Sequence, residues 1–234
     1  MSAPLYLLPA PLGETDFGSL FPPFNLEIIN SINHYIVEEL RTARRLLRKM
    51  NINKPIEELS FQLLNEHSKN INLNEYLEPC LADNPMGLLS EAGTPCIADP
   101  GNSVVAKAHQ LGIEVIPLIG PNSIMLALMA SGFNGQQFTF NGYLPVDRNQ
   151  RETEIRFLES LLKKNGYTQI FIETPYRNNH ILDSILTVCA PETRLCVACQ
   201  IATPEQWIKS QSVSKWRKEK INLHKKPVVF LLGR

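Results

Sequence analysis

Several features that would assign this chain at once are missing from it. Neither sign of charge is in excess: 23 basic residues stand against 23 acidic ones in a length of 234. No global field draws it to nucleic acid or a lipid surface, so any polyanion site must be a local patch. No apolar run approaches the ~18 residues of a membrane span. The opening "MSAPLYLLPAPLG" lacks the basic start and long apolar core of a signal peptide. The expectation is a cytoplasmic protein with no membrane association. Five cysteines, an odd number scattered along the chain, do not make a secreted disulfide framework. Cys196 and Cys199 form a C-x-x-C in a segment that reads as a strand. Residues three apart on a strand point to opposite faces, so buried free thiols are expected there and no metal site. There is no internal repeat and no low-complexity segment. No G-x-G-x-x-G follows the first apolar strand and no G-x-x-x-x-G-K-[ST] occurs. That disfavours an ordinary dinucleotide or nucleoside triphosphate site, and also the common doubly wound methyltransferase.

What the chain does have is a regular alternation. Short apolar runs, "PLYLLPA", "HYIVEE", "PMGLLSE" and "IEVIPLIG", alternate with helical segments such as "ELRTARRLLRKM", "NSVVAKAHQLG" and "PNSIMLALMASG". Asn102 or Ser103 is the expected helix start in the second of these, and Gly112 its stop. The pattern predicts an α/β protein with mostly parallel sheets covered by helices. It restarts after "GYLPVDRNQ", which reads as a loop, with a helix over 151–164, strands "TQIFIET", "RLCVACQ" and "PVVFLLG", and the helix "RNNHILDSILTVC". The interruption "PLIGPNS" marks the better boundary, giving an N-terminal domain 1–118 and a C-terminal domain 119–234.

Three Gly/Pro-rich loops follow apolar strands in the first half: "PAPLGE", "SEAGTPCIADPG" and "IGPNS". In open α/β sheets ligands sit beyond the carboxyl ends of the strands. Glycine there lets backbone groups approach a ligand closely, while proline sets the loop's path. Three such loops on successive strands suit a flat, polar, nucleoside-like ligand gripped mainly by backbone. On helix 39–50, Arg41, Arg44, Arg45, Arg48 and Lys49 fill one face and Leu40, Ala43, Leu47 and Met50 another. The basic face fits phosphate contacts, although a solvated helix face is the commoner meaning of such a stripe.

The set "LYLLPAPLG", "VEELR", "NEH", "LLSEAGTPCIADPG", "VIPLIGPNSIMLALMASG", "FTFNGYLP" and "IFIETPYR" resembles the tetrapyrrole methylase superfamily, in order and over nearly the whole chain. Within it the likeness is greatest to the branch that methylates ribose 2′-hydroxyls of small-subunit ribosomal RNA. The resemblance implies two α/β domains with S-adenosylmethionine (SAM) held in a cleft between them, and a homodimer. It carries SAM contacts onto Leu12, Gly13, Gly93, Thr94, Ile97, Ser123 and Ile124, and in the second half onto Glu173, Thr174, Ala198 and Pro227. Where the family's first loop usually ends in Asn this chain has Glu14, and the usual Gly-Glu before the last strand is Lys225-Lys226.

A ribose hydroxyl is a poor nucleophile until its proton leaves, so a base should lie near it. Glu38, Glu66 and His67 occupy preserved motif positions and are the candidate catalytic residues, with Glu39 beside them; a structural ion pair to Arg41 or Arg44 is the competing role for the acids. RNA, chiefly that of the small ribosomal subunit, is the expected partner. A SAM-dependent methyltransferase of a tetrapyrrole or other small molecule, or a SAM-binding protein without catalysis, are the alternatives.

Overall fold

The computed structural model describes residues 2–64 and 71–234. The chain divides into two compact units, Met1–Asn122 and Ser123–Arg234. The division falls beyond the expected 118/119 boundary because the segment after the last strand of the first unit is tied back to that unit. Leu118 N–H donates to Leu7 O at 3.0 Å, Asn25 Nδ2 to Ile119 O at 2.7 Å, and Asn122 Nδ2 to Thr94 Oγ1 at 2.6 Å.

The first unit contains β1 (Leu5–Leu8), α1 (Pro23–Ser31), β2 (His34–Val37), α2 (Leu40–Lys49), β3 (Ser60–Leu63), α3 (Leu73–Tyr76), α4 (Glu78–Leu81), β4 (Met86–Leu89), α5 (Asn102–Gln110) and β5 (Val115–Pro117). Its sheet has the order β3-β2-β4-β1-β5, and every neighbouring pair is parallel. Parallel strands need crossovers, and the helices that make them cover both faces. Ile29, Tyr35, Ala43, Leu46 and Leu47 pack with Leu8 and Val37 on one side. Leu77, Cys80, Val104 and Ala108 pack with Leu5, Ile36 and Met86 on the other. Helix α2 starts where it does because the Glu39 carboxylate caps it, accepting from Arg41 N–H at 2.9 Å and Thr42 N–H at 2.6 Å. Arg48 and Lys49 in its last turn complement the helix dipole. Helix α5 is not opened by a side chain of Asn102 or Ser103. Gly101 takes the cap position, and Asp99 Oδ1 accepts from both Cys96 N–H and Gly101 N–H at 2.8 Å.

The second unit contains α6 (Ser123–Ser131), β6 (Phe138–Tyr143), α7 (Arg148–Asn165), β7 (Thr168–Ile172), α8 (Asn178–Val188), β8 (Arg194–Cys199), β9 (Trp207–Ser212), α9 (Val213–Trp216) and β10 (Val228–Gly233). Its sheet, β6-β7-β10-β8-β9, corrects the expectation of mostly parallel pairing: only β6–β7 is parallel, and the other three pairs are antiparallel. Antiparallel neighbours need no helical crossover, so β8 leads into β9 without one and no helix pattern separates them. Helix α7 begins at Arg148 rather than 151 because Asp147 caps it, accepting from Gln150 N–H at 2.9 Å. The polar "VDRNQ" is a cap and first turn, and "FTFNGY" before it is strand β6. The helix ends at Gly166, whose φ of 74° suits glycine. One sheet face carries Val197, Cys199, Phe230 and Leu232 against Ile155, Leu158, Ile181, Ile185 and Trp216. The Trp216 indole N–H donates to Leu195 O at 2.8 Å, which satisfies its one polar atom in the core. All five cysteines are free thiols, and burial pushes Cys196 up to about 12.

Candidate functional site

Because β1, β2, β4 and β5 run parallel, the loops that leave them emerge at one edge of the first sheet. There the three Gly/Pro-rich loops are fastened to one another. Ala10 N–H donates to Gly93 O at 2.8 Å and Gly93 N–H to Ala10 O at 3.0 Å, an antiparallel bridge joining the first loop to the second. Gly93 sits at φ 71°, and a Cβ on it would stand 3.2 Å from the Leu12 side chain and 3.5 Å from Pro121 O. It is the conformation that calls for glycine, while the spacing leaves the Leu12 side chain packed closely on it. Gly120 of the third loop lies so close on Pro9 that any Cβ would overlap its ring. Asn122 reaches back to Thr94. Leu12, Gly93 and Thr94 are thus brought together, with Gly13 exposed one residue on. Ile97 keeps 47% of its surface exposed, although it is a large apolar residue.

Within the second loop, Cys96 and Ala98 have positive φ values of 66° and 60°. Non-glycine residues in that region cost of order 1 kcal/mol or more each and persist where surroundings impose them. Here the Asp99 carboxylate does so by holding two backbone N–H groups.

Glu38 and Glu39 follow β2, beside β4, and their environments differ sharply. Glu39 is the α2 cap, and its bonds from Arg41 and Thr42 N–H hold its carboxyl below the usual range. It caps the helix, with the charge of Arg41 adding a smaller attraction. Glu38 is half-buried, and burial pushes its carboxyl up to about 7, with the like charges of Asp99 and Glu91 adding to the rise and a bond from Glu91 N–H opposing it. A carboxyl poised there is suited to exchanging a proton near neutral pH. Sequence reasoning missed Glu91 and Asp99 as its neighbours, although both lie in the quoted "SEAGTPCIADPG". Only the pairing of β2 with β4 places them beside Glu38. Glu66 and His67 lie outside the described residues.

The basic face of α2 is partly engaged. Arg48 pairs with Glu57 at 3.5 Å, Lys49 with Glu14 at 2.6 Å, and Arg44 lies over the Phe61 ring at 5.5 Å. The Lys49 ammonium holds the Glu14 carboxyl below its ordinary value.

In the second unit, β7 and β8 both run antiparallel to β10, so their exits lie at the edge where β10 begins. The register sets Ile172, Val229 and Ala198 in one row. Glu173 and Thr174 follow Ile172 and Pro227 precedes Val228. Gln200 N–H donates to Pro227 O at 2.9 Å. Glu173, Thr174, Ala198 and Pro227 therefore gather at one end of the sheet. Ala198 is wholly buried, while Thr174 and Pro227 are exposed. Glu173 is buried, accepts from Thr174 N–H at 2.7 Å and pairs with Arg177 at 2.6 Å. Ser123 and Ile124 open α6, the first half-buried and the second buried. Among the described residues there is no cluster of acids, histidines and cysteines able to hold a metal ion, and no helix long and apolar enough to cross a membrane.

No family model matches the sequence. Among curated proteins, the chain is 30% identical over 231 residues to ribosomal RNA small subunit methyltransferase I of Vibrio cholerae, covering 97% of this chain and 76% of that one. It is 34% identical over 163 residues to the protein of the same name from Thermotoga maritima, covering 70% and 69%. Among solved structures, the methyltransferase CobJ matches with a TM-score of 0.64 at 16% identity, covering 100% of this chain and 95% of that one. At that identity the likeness concerns the fold alone. With its loops and strand order in place and relatives of this similarity along its length, the chain belongs to the family of ribosomal RNA small subunit methyltransferase I, and is a methyltransferase.

Proposed function

We propose that the protein transfers the methyl group of SAM to a ribose 2′-hydroxyl of ribosomal RNA. The observation that carries the reading is the fastening of the loops after β1, β4 and β5 at the carboxyl edge of a parallel sheet, around Gly93, whose positive φ disfavours any side chain. That cradle fits a nucleoside-sized donor held by backbone groups, with Ile97 an apolar surface left open beside it. In the first unit we assign donor contacts to Leu12, Gly13, Gly93, Thr94 and Ile97. In the second we assign them to Ser123, Ile124, Glu173, Thr174, Ala198 and Pro227. SAM supplies an activated methyl group on a sulfonium, so the protein's own work is alignment and proton removal.

Glu38 is the base in this reading. Raised toward 7 by burial and by Asp99 and Glu91, it is ionised over the upper part of the neutral range. Its carboxylate would take the proton of the acceptor hydroxyl and pass it to water afterwards, while SAM, when bound, would supply the methyl group, its carbon–sulfur bond breaking with the electron pair kept on sulfur as S-adenosylhomocysteine leaves. Asp99 holds two backbone N–H groups and so keeps the loop, and the field at Glu38, in place. The relatives' name supports ribosomal RNA as acceptor, and we place the enzyme in the cytoplasm as a homodimer. The test combines calorimetric titration with SAM and label transfer from methyl-labelled SAM. Small-subunit particles and RNA from cells lacking the protein are compared with a small-molecule extract. Binding together with label in RNA is expected. Label confined to the small-molecule fraction would overturn the acceptor, and failure to bind SAM would overturn the whole reading.

A further inference from the structure

Beyond Thr174 the second unit carries an aromatic and basic surface that the donor contacts do not use. Tyr176 keeps 65% of its surface exposed. Lys225 Nζ stands over its ring at 5.8 Å from the centroid, and the His224 ring meets it at 5.7 Å and 75°. Those two side chains are themselves exposed.

An exposed tyrosine is ordinary when it sits on loose chain. This one sits on a fastened platform. Lys225 N–H donates to Pro175 O at 2.9 Å. Asn178 Nδ2 donates to Lys226 O at 2.6 Å, and Asn179 links to Asn222 and to Leu223 N–H at 2.9 and 2.8 Å. Leu223 is buried as the anchor of the loop. Lys225 itself is held at a φ of 61°, a conformation that lysine adopts only where its surroundings impose it. Ordering costs have thus been met before any partner arrives. Glu173, the acid at this edge, is buried and paired with Arg177, so its charge does not oppose an anion here.

We propose that Tyr176, His224 and Lys225 form a stacking and phosphate-binding platform for a single-stranded nucleotide of the RNA substrate. The part of the exposed ring that Lys225 does not cover accepts a base, and the adjacent ammonium and imidazole N–H groups bind the phosphate beside it. This is the arrangement by which proteins hold unpaired nucleic acid. The platform follows Thr174 in the chain after a single proline, so it would grip RNA next to a proposed donor contact. The inference rests on the RNA reading above.

The probe is a fluorescein-labelled, mixed-sequence single-stranded oligoribonucleotide, followed by anisotropy with the full chain. Calorimetric titration with SAM and thermal melting run alongside. Tyr176→Ala should weaken RNA binding about tenfold, since one stacked base contributes on that order. Tyr176→Phe should restore it. Lys225→Gly, which suits the positive φ, should flatten the dependence of log K on log salt by about one phosphate's share. SAM affinity and melting should be unchanged in all three. Wild-type RNA affinity in Tyr176→Ala would overturn the platform, as would a Phe variant as weak as Ala, or no binding of the probe by the wild-type protein. Loss of SAM binding by the wild type, with RNA binding intact, would instead strike the donor reading and leave the platform standing.

Discussion

The two units each bury a five-stranded sheet on both faces, but they run their strands differently, and that decides what each can do at its edge. In the first, parallel pairing throughout sends every loop after a strand to the same side. Three backbone-shaped loops and two glutamates therefore meet there. In the second, antiparallel pairing puts the exits of β7 and β8 beside the entry of β10. Its edge is built by side chains: Glu173 with Arg177, Asn178 on Lys226, Tyr176 with Lys225. The first edge is made for close approach of backbone, the second for polar and aromatic contacts.

The sharpest way to test that contrast is at Glu38. Glu38→Gln should lower turnover by about two to four orders of magnitude while SAM still binds. The wild-type rate should rise with pH through about 7 and then level. A near-normal rate with an unchanged pH profile would remove Glu38 from the reaction. The same residue has a signature in stability. With its folded pKa raised, its favourable contribution is complete below the ordinary carboxylate value and is lost as pH rises through about 7. Glu38→Gln should therefore be more stable than wild type near pH ~8, by on the order of 1 kcal/mol given partial exposure, and the gap should close toward pH ~5.

The second unit is most easily broken in its core. Trp216→Ala removes a fully buried indole and its bond to Leu195 O. It should cost about 3–5 kcal/mol in urea unfolding, and an unchanged midpoint would contradict the packing described. A smaller effect is expected at the first unit's loops. Gly120→Ala forces a Cβ into Pro9, and it should cost about 1–3 kcal/mol of local strain. SAM affinity should fall with it, because the strain lies in the loops assigned to the donor. Titration showing full affinity would separate the third loop from the site. Smallest of all, Glu39→Ala removes a helix cap and should cost about 1 kcal/mol in melting experiments. Turnover should persist, and its collapse would mean that the adjacent glutamates had been assigned the wrong way round.

Much of the first unit was legible along the chain. Strand and helix periods differ and parallel crossovers alternate them, so "PLYLLPA", "HYIVEE" and "PMGLLSE" stood out between amphipathic segments. The Gly/Pro loops announced backbone that must turn sharply. The second unit was less legible: β9, "WIKSQS", is a polar strand whose pairing with β8 supplies what its composition does not. Asp147 capping α7 turned an apparent loop into a first helical turn.

By itself, then, the sequence determined the α/β class, the loops and the family likeness, because these depend on local periodicity and on residues with restricted backbone preferences. Tertiary structure alone decided which of two adjacent glutamates caps a helix and which is left half-buried beside Asp99 and Glu91, and where the second sheet reverses. It also decided that Tyr176 and Lys225, distant in sequence, share one surface. Capping, burial and strand register join residues far apart in the chain, and no local pattern encodes those meetings.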